Sequence, residues 1–258
     1  MVSKPLIGII GGKGAMGSWF ARFFTQGGYQ VLISDLDTAL TLNDLTARSD
    51  VVVVSVPISV TGEVIKKAGP LLAPNKLLMD LTSLKTRPVE AMLKYTTAEV
   101  IGLHPLFGPD VPEMKGQNVV ICPARGEKWI SWLRELLTHA GALVVEMTPE
   151  RHDELMALVQ AMNHLNTILM GLTLKEMGVS PPDLNAVSTP VFRTKLDLIK
   201  RVTSQDPALC AEIIGGNPYL IPVLRAYERN WECLKAVIER GDIPALINML
   251  KKLPEHQG

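Results

Sequence analysis

No excess of either charge marks this chain: Lys and Arg together number 26, Asp and Glu also number 26, and the pI is near 7.0. Nucleic-acid binders usually show a basic excess or stripe, so no nucleic-acid partner is expected. A net charge near zero gives weak colloidal protection, which suits a closed oligomer. Cysteine is scarce too. Cys122, Cys210 and Cys233 lie far apart without metal spacing, so neither a disulfide framework nor a metal site is expected; reduced thiols in a cytoplasmic protein are. No run of about 18 apolar residues occurs, so no membrane span is expected. The apolar stretch at 6–10 is too short for a signal-peptide core and runs into Gly11-Gly12, which makes it a first strand. Low-complexity tracts, like-charge runs and internal repeats are lacking as well. What remains is 258 residues, 47% hydrophobic and 20% charged, enough for one large or two ordinary globular domains.

The first half alternates apolar runs with amphipathic stretches. Residues 5–10, 30–34, 51–56, 76–81, 99–103, 118–122 and 143–146 are strand candidates rich in Val, Ile and Leu, and 15–26, 60–68, 87–94 and 127–140 carry helical patterns. Nearly continuous apolar strands alternating with helices predict an α/β fold, a Rossmann-type doubly wound and mostly parallel sheet. After Glu146 the pattern changes. Thr148-Pro149-Glu150 is a helix start, with a hydroxyl cap, proline in the first turn and an acid beside it. A long helix is expected from there to about Met177, another opens at Ser188-Thr189-Pro190, and breaks fall at Gly215-Gly216-Asn217-Pro218 and Gly241-Asp242. The expected division is therefore 1–147, a dinucleotide-binding domain, and 148–258, an all-α domain.

Gly12-Lys13-Gly14-Ala15-Met16-Gly17 is a G-x-G-x-x-G between a strand and a helix. Such glycines allow a tight turn and close backbone approach, and the helix N-terminus receives a pyrophosphate. Asp35 ends the second strand, where a carboxylate accepts from ribose hydroxyls and repels a 2′-phosphate. No Lys or Arg follows it before Arg48, so NAD is expected over NADP. Asp37 can serve instead, and either can cap a turn. Ser55-Val56-Pro57 and Asp80-Leu81-Thr82-Ser83-Leu84-Lys85 end two further strands, at the carboxyl edge where ligands bind, although a plain strand exit and a helix cap are equally compatible with them.

Histidine numbers only five, and His104 sits in Gly102-Leu103-His104-Pro105-Leu106-Phe107-Gly108-Pro109-Asp110. Rigid and small neighbours present the ring from a shaped loop after a strand, where it can take a proton while a cofactor takes a hydride. His152 and His164 share a predicted helix twelve residues apart, about 120° around an α-helix, so they cannot both point squarely into one site, and the spacing is wrong for a metal pair. Arg193 and Arg201 share the helix opened at Pro190. Most such arginines are solvated; one turned inward suits a carboxylate.

Together these segments resemble the prephenate dehydrogenase family of tyrosine biosynthesis. The resemblance is carried by Gly12 to Gly17, Val53-Val54-Ser55-Val56-Pro57-Ile58, the Asp80 to Lys85 and Gly102 to Asp110 segments, and His152-Asp153. It continues through Gln160-Ala161-Met162-Asn163-His164, Ser188-Thr189-Pro190-Val191-Phe192-Arg193, Arg201 and Gln205-Asp206-Pro207. It is closest to the dehydrogenase portion of bifunctional chorismate mutase–prephenate dehydrogenases. A dinucleotide fold starting at residue 6 leaves a fused mutase unexpected, and no regulatory domain of the ACT type fits after the helices. Many monofunctional members carry Ser-His-Leu-Pro-His where this chain has Gln160-Ala161-Met162-Asn163-His164, so roles tied to the first of those histidines do not transfer.

The resemblance implies oxidative decarboxylation of prephenate to 4-hydroxyphenylpyruvate with NAD. It makes His104 catalytic with Ser83 as its partner, Arg201 the grip on a substrate carboxylate, and His152, His164, Arg193 and Lys85 supporting positions around the pocket. The cofactor-binding set is Gly12, Lys13, Gly14, Ala15, Met16, Gly17, Asp35, Ser55, Val56, Pro57 and Thr82. It also implies a homodimer through the helical domain. Arogenate is an alternative substrate. A β-hydroxyacid dehydrogenase or imine reductase is a rival on the same scaffold, but the former usually places a Lys on the first interdomain helix, which here has none before Lys175. A non-enzymatic NAD sensor is a second rival, opposed by His104, Ser83 and Arg201 occurring together.

Overall fold

The computed structural model describes residues 4–204 and 206–254; Gln205, one of the residues carrying the resemblance, lies outside them. Seven strands form one sheet: β1 (Ile7–Ile10), β2 (Val31–Ser34), β3 (Val51–Val54), β4 (Leu77–Asp80), β5 (Glu99–Pro105), β6 (Asn118–Arg125) and β7 (Leu143–Glu146). Their order is β2-β1-β3-β4-β5-β6-β7, parallel except where β6 runs antiparallel to β5. Every residue of β1, β3 and β4 is buried, as expected for central strands covered on both faces.

Helices α1 (Ala15–Gln26), α2 (Leu42–Arg48), α3 (Ile58–Ala68), α4 (Thr86–Tyr95) and α5 (Lys128–His139) flank the sheet. One core layer packs Trp19, Phe20 and Phe24 of α1 and Leu133 and Leu137 of α5 on the side chains of Ile7, Ile9, Val51 and Val53. The other packs Leu45, Ile65, Val89 and Met92 on Val52, Val54, Leu78 and Val100. Alternate residues of each strand thus feed opposite layers. Helix α2 was not anticipated. Seven residues carry little periodic signal, and its start depends on the Thr41 side chain accepting from the Asp44 amide.

β1 has β2 on one side and β3 on the other, so the strand order reverses between β1 and β3. A crevice opens at such a point beyond the carboxyl ends of the strands. His104 overlooks that edge, but from a strand and not from the loop expected of its neighbours. β6 pairs with β5 through Pro105↔Val119, whereas β4 stops at Asp80↔Gly102, so His104 stands beyond the end of β4.

After β7 the chain is helical: α6 (Pro149–Met156), a π-helical segment (Ala157–Met162), α7 (Asn163–Glu176), α8 (Pro181–Val187), α9 (Pro190–Ser204), α10 (Pro207–Gly216), α11 (Leu220–Glu239) and α12 (Ile243–Leu250). The Thr148 side chain accepts from the Arg151 amide at the start of α6. The continuous helix Pro149–Glu176 is long and apolar enough to cross a membrane by length and composition, with a window of mean hydropathy 1.2. Polar residues such as Gln160, Asn163, His164 and Asn166 interrupt the Leu, Ile, Val, Met and Ala that supply this hydropathy, so no unbroken apolar run announced it. The helix packs against α9, α10 and α11. None of the residues of α7, α8, α9 or α12 is buried in the single chain.

Candidate active site

A cavity of about 640 Å³ lies between the carboxyl edge of the sheet and the helical domain. Gly14, Ala15 and Met16 line it, as do Ser55, Val56, Pro57, Thr82, Ser83 and His104, with His164 and Arg201 on the helical side. Six separate segments of the predicted site therefore meet at one place. Gly12, Lys13, Gly17 and Asp35 lie behind or beside this wall, whereas Lys85, His152 and Arg193 are placed elsewhere.

At the nucleotide end the glycines are required by contact. A Cβ at Gly17 would lie 2.3 Å from the Gly11 carbonyl oxygen, and one at Gly12 would lie 2.6 Å from Ile33 Cγ2. Gly11, outside the motif as first read, has φ +77° and would place a Cβ 2.2 Å from the Ser55 carbonyl oxygen. The Gly11-Gly12 pair was its available signal. Gly14 precedes α1 without a side-chain cap, so first-turn amides remain for an anionic ligand. The Lys13 amide donates to Asp35 Oδ2 at 2.8 Å, and Lys13 Nζ pairs with Asp37 at 2.8 Å. Both carboxylates after β2 are thus tied to the loop, in the arrangement a dinucleotide with free ribose hydroxyls fits.

His104 is 3% exposed, and its Nδ1 lies 2.8 Å from Nε2 of His152 on α6. Burial, then the nearby His152 and Lys85, hold His104 well below the ordinary imidazole pKa, so it is neutral at neutral pH. His152 is wholly buried behind it and does not reach the cavity. Its Nδ1 lies 2.8 Å from Asp153 Oδ1. Asp153 also accepts from the amides of Lys85 and Thr86, at 2.8 and 2.9 Å. Burial alone would raise Asp153, but the bonds from His152, Thr86 and Lys85 outweigh it and hold the carboxyl below its ordinary value.

Lys85 is wholly buried too. Its Nζ donates to Asp80 Oδ2 and, at 2.9 Å, to the Leu103 carbonyl, while Thr82 donates to the same carboxylate. A desolvated ammonium needs such a partner, and this one draws Lys85 under the sheet edge instead of into the cavity. Arg193, at the start of α9, is exposed and does not line the cavity, whereas Arg201, two turns on, does. A Cβ on Gly108 would lie 3.3 Å from Arg201 Nη2, so the guanidinium rests against the loop after His104. Burial first, and then Arg201, lower the His164 pKa.

Of the two helix histidines only His164 lines the cavity, and a π-helical segment separates it from His152. Wider i→i+5 turns rotate every later side chain relative to those before. Sequence reasoning also passed over Gln160, whose Oε1 is buried without a partner although the residue lines the cavity, and over Asp206 and Glu212 on the same wall. The Gln160 segment was visible only as a departure from a motif.

Comparison with known proteins decides the family. A model of the prephenate dehydrogenase nucleotide-binding domain matches residues 35–146, and one of the prephenate dehydrogenase dimerization domain matches residues 148–252. The chain belongs to the prephenate dehydrogenase family. Among its relatives, the T-protein of Haemophilus influenzae is 35% identical over 97% of this chain and 66% of its own length. A probable arogenate/prephenate dehydrogenase of Methanocaldococcus jannaschii is 31% identical over 98% of this chain and 61% of its own length. The chain thus spans about two thirds or less of these two relatives. Prephenate dehydrogenase from A. aeolicus, solved with hydroxyphenyl propionate and NAD+, shares the fold at TM-score 0.78 and 21% identity, over 97% of this chain and 96% of that one. Relatives in this family differ in the substrates they are named for.

Proposed function

We propose that this chain oxidatively decarboxylates prephenate to 4-hydroxyphenylpyruvate with NAD, as a cytoplasmic homodimer. The single observation that carries this reading is His104: a buried, neutral imidazole at the end of β5, on the cavity that also holds the Gly-rich loop and Arg201. NAD, held by Gly12 to Gly17 with Asp35 at the ribose, supplies the hydride acceptor. His104 accepts the proton of the ring hydroxyl, with Ser83 beside the reacting group. Carbon dioxide leaves and the ring becomes aromatic, so the substrate supplies much of the driving force. The protein's share is orientation and charge placement. Arg201 binds a carboxylate, and His164, kept neutral beside it, donates or accepts without competing charge.

The boundary near residue 147 separates nucleotide binding from substrate binding and dimerisation. No residue of α7, α8, α9 or α12 is fully buried in one chain, and Leu172, Val187, Val191 and Trp231 stand exposed, which supports a second copy as the cover. The same face accounts for the apolar helix Pro149–Glu176 without a membrane.

One observation favours arogenate as a second reading. Gln160 Oε1, Asp206 and Glu212 are acceptors on the cavity wall, and an ammonium donates where a keto group cannot. Steady-state assays with prephenate and arogenate, each with NAD and NADP, test both readings. The primary one expects the highest kcat/KM for prephenate with NAD, and His104→Asn to cut kcat by roughly 10²–10⁴. A wild-type kcat in that variant places the base elsewhere.

A further inference from the structure

The hydrogen bonds of the buried chain His104–His152–Asp153 leave two proton arrangements, one with His152 neutral and one with it cationic. Asp153 receives the Lys85 and Thr86 amides and lies 2.8 Å from His152 Nδ1. A carboxylate accepts and does not donate, so His152 Nδ1 carries a hydrogen. A neutral imidazole has one N–H, which leaves a lone pair on His152 Nε2. The 2.8 Å contact to His104 Nδ1 then requires a hydrogen on that nitrogen. His104 Nε2 is left with the lone pair, on the ring that lines the cavity.

A cationic His152 would reverse this. It would donate from Nε2, force the hydrogen of a neutral His104 onto its own Nε2 and leave no base for the cavity. The two arrangements share every heavy-atom position and differ only in protons.

We infer that His152 and Asp153 are positioning residues that hold His104 as the Nδ1–H tautomer, with Nε2 as the proton-accepting atom. When the substrate O–H breaks and N–H forms at Nε2, the Nδ1–H bond to His152 persists, and the imidazolium is stabilised through His152 by the Asp153 carboxylate. Because His104 sits on the sheet and the other two on α6, the base is set only when the domains are docked. The Lys85 and Thr86 amides fix that docking by donating to Asp153, and within the helical domain Asn217 Nδ2 holds α6 by donating to the Asp153 carbonyl at 2.8 Å. The catalytic part of this inference rests on His104 being the base; the tautomer assignment does not.

The test has two arms. With ¹⁵N-histidine labelling, the chain's five histidines are few enough to assign by single substitution. Wild-type His104 is expected to show a protonated Nδ1 and a pyridine-type Nε2; a proton on Nε2 overturns the assignment. In the second arm, His152→Gln retains an acceptor for His104 Nδ1, whereas His152→Leu fills the buried space without one. Leu is expected to lower kcat by roughly 10²–10⁴ with KM for prephenate unchanged, and Gln to retain most of kcat. A role in packing alone predicts the reverse ranking, and wild-type kcat in His152→Leu overturns the proposal. Should the tautomer be as assigned while His104→Asn keeps kcat, the base reading fails and the assignment stands.

Discussion

Asp153 and Thr86 join the two domains: the carboxylate, on the first helix of the helical half, accepts the Thr86 amide at 2.9 Å at the start of α4. The same side chain accepts the Lys85 amide, so it caps a helix of the other domain while holding His152. Asp153→Ala leaves two amides and an imidazole N–H without partners. It should lower stability by about 2–4 kcal/mol in denaturant unfolding. A change of about 0.5 kcal/mol, the size seen at ordinary surface sites, would show that the docking does not depend on it.

Acid should weaken the fold through His104. Its folded pKa is depressed, so the unfolded chain binds this proton near the ordinary value of about 6.5 while the folded chain resists. Its contribution is present above about pH 6.5 and is lost as pH falls through the folded value. Tm should therefore drop below about pH 6.5, less steeply in His104→Gln. The same depression puts the rising limb of kcat/KM on the acid side of 6.5. A limb above pH 7 contradicts the assignment of that limb to His104.

Arg201→Gln should raise KM for prephenate more than it lowers kcat, because a carboxylate grip acts in ground and transition states alike. Loss of such a pair typically costs about 2–5 kcal/mol in kcat/KM. Arg193→Gln should cost far less: both arginines are exposed in the single chain, but only Arg201 lines the cavity. Gly108→Ala is a milder probe. Its Cβ meets only the mobile end of Arg201 at 3.3 Å, so a small rise in KM is expected. A large KM effect at Arg193 beside none at Arg201 would identify the wrong arginine.

Cofactor choice should turn on the carboxylates after β2. Asp35 is tied to the Lys13 amide and is the negative charge a 2′-phosphate meets, whereas Asp37 is already paired with the Lys13 ammonium. Asp35→Ser should narrow the preference for NAD over NADP in kcat/KM. An enzyme that prefers NADP from the start rejects this account.

Sedimentation at micromolar concentration should report twice 28.2 kDa. Leu172→Glu, at a residue of α7 that is 58% exposed in the single chain, should shift the equilibrium toward monomer if that face is the interface. A stable, fully active wild-type monomer removes the dimer from the reading.

Much of this protein is determined locally and was legible in residue order. Apolar runs such as Val51-Val52-Val53-Val54 can satisfy their backbone and bury both faces only inside a parallel sheet, and Thr148-Pro149-Glu150 starts a helix wherever it lies. The Gly-rich loop is local for the same reason: steric exclusion at Gly12 and Gly17 acts within one strand–turn–helix unit and its neighbouring strand. Tertiary structure decided what depends on partners distant in sequence. Asp80 is only five residues from Lys85, but the Leu103 carbonyl that also holds the ammonium under the sheet edge is eighteen away, and desolvation is a property of the assembled core. Likewise, β6 pairing across β5 turned His104 from a loop residue into a strand residue, and a π-helical segment reset the phase between His152 and His164. The contact of His104 with His152 spans 48 residues and two domains. Its geometry is set by packing, to which composition and spacing are blind.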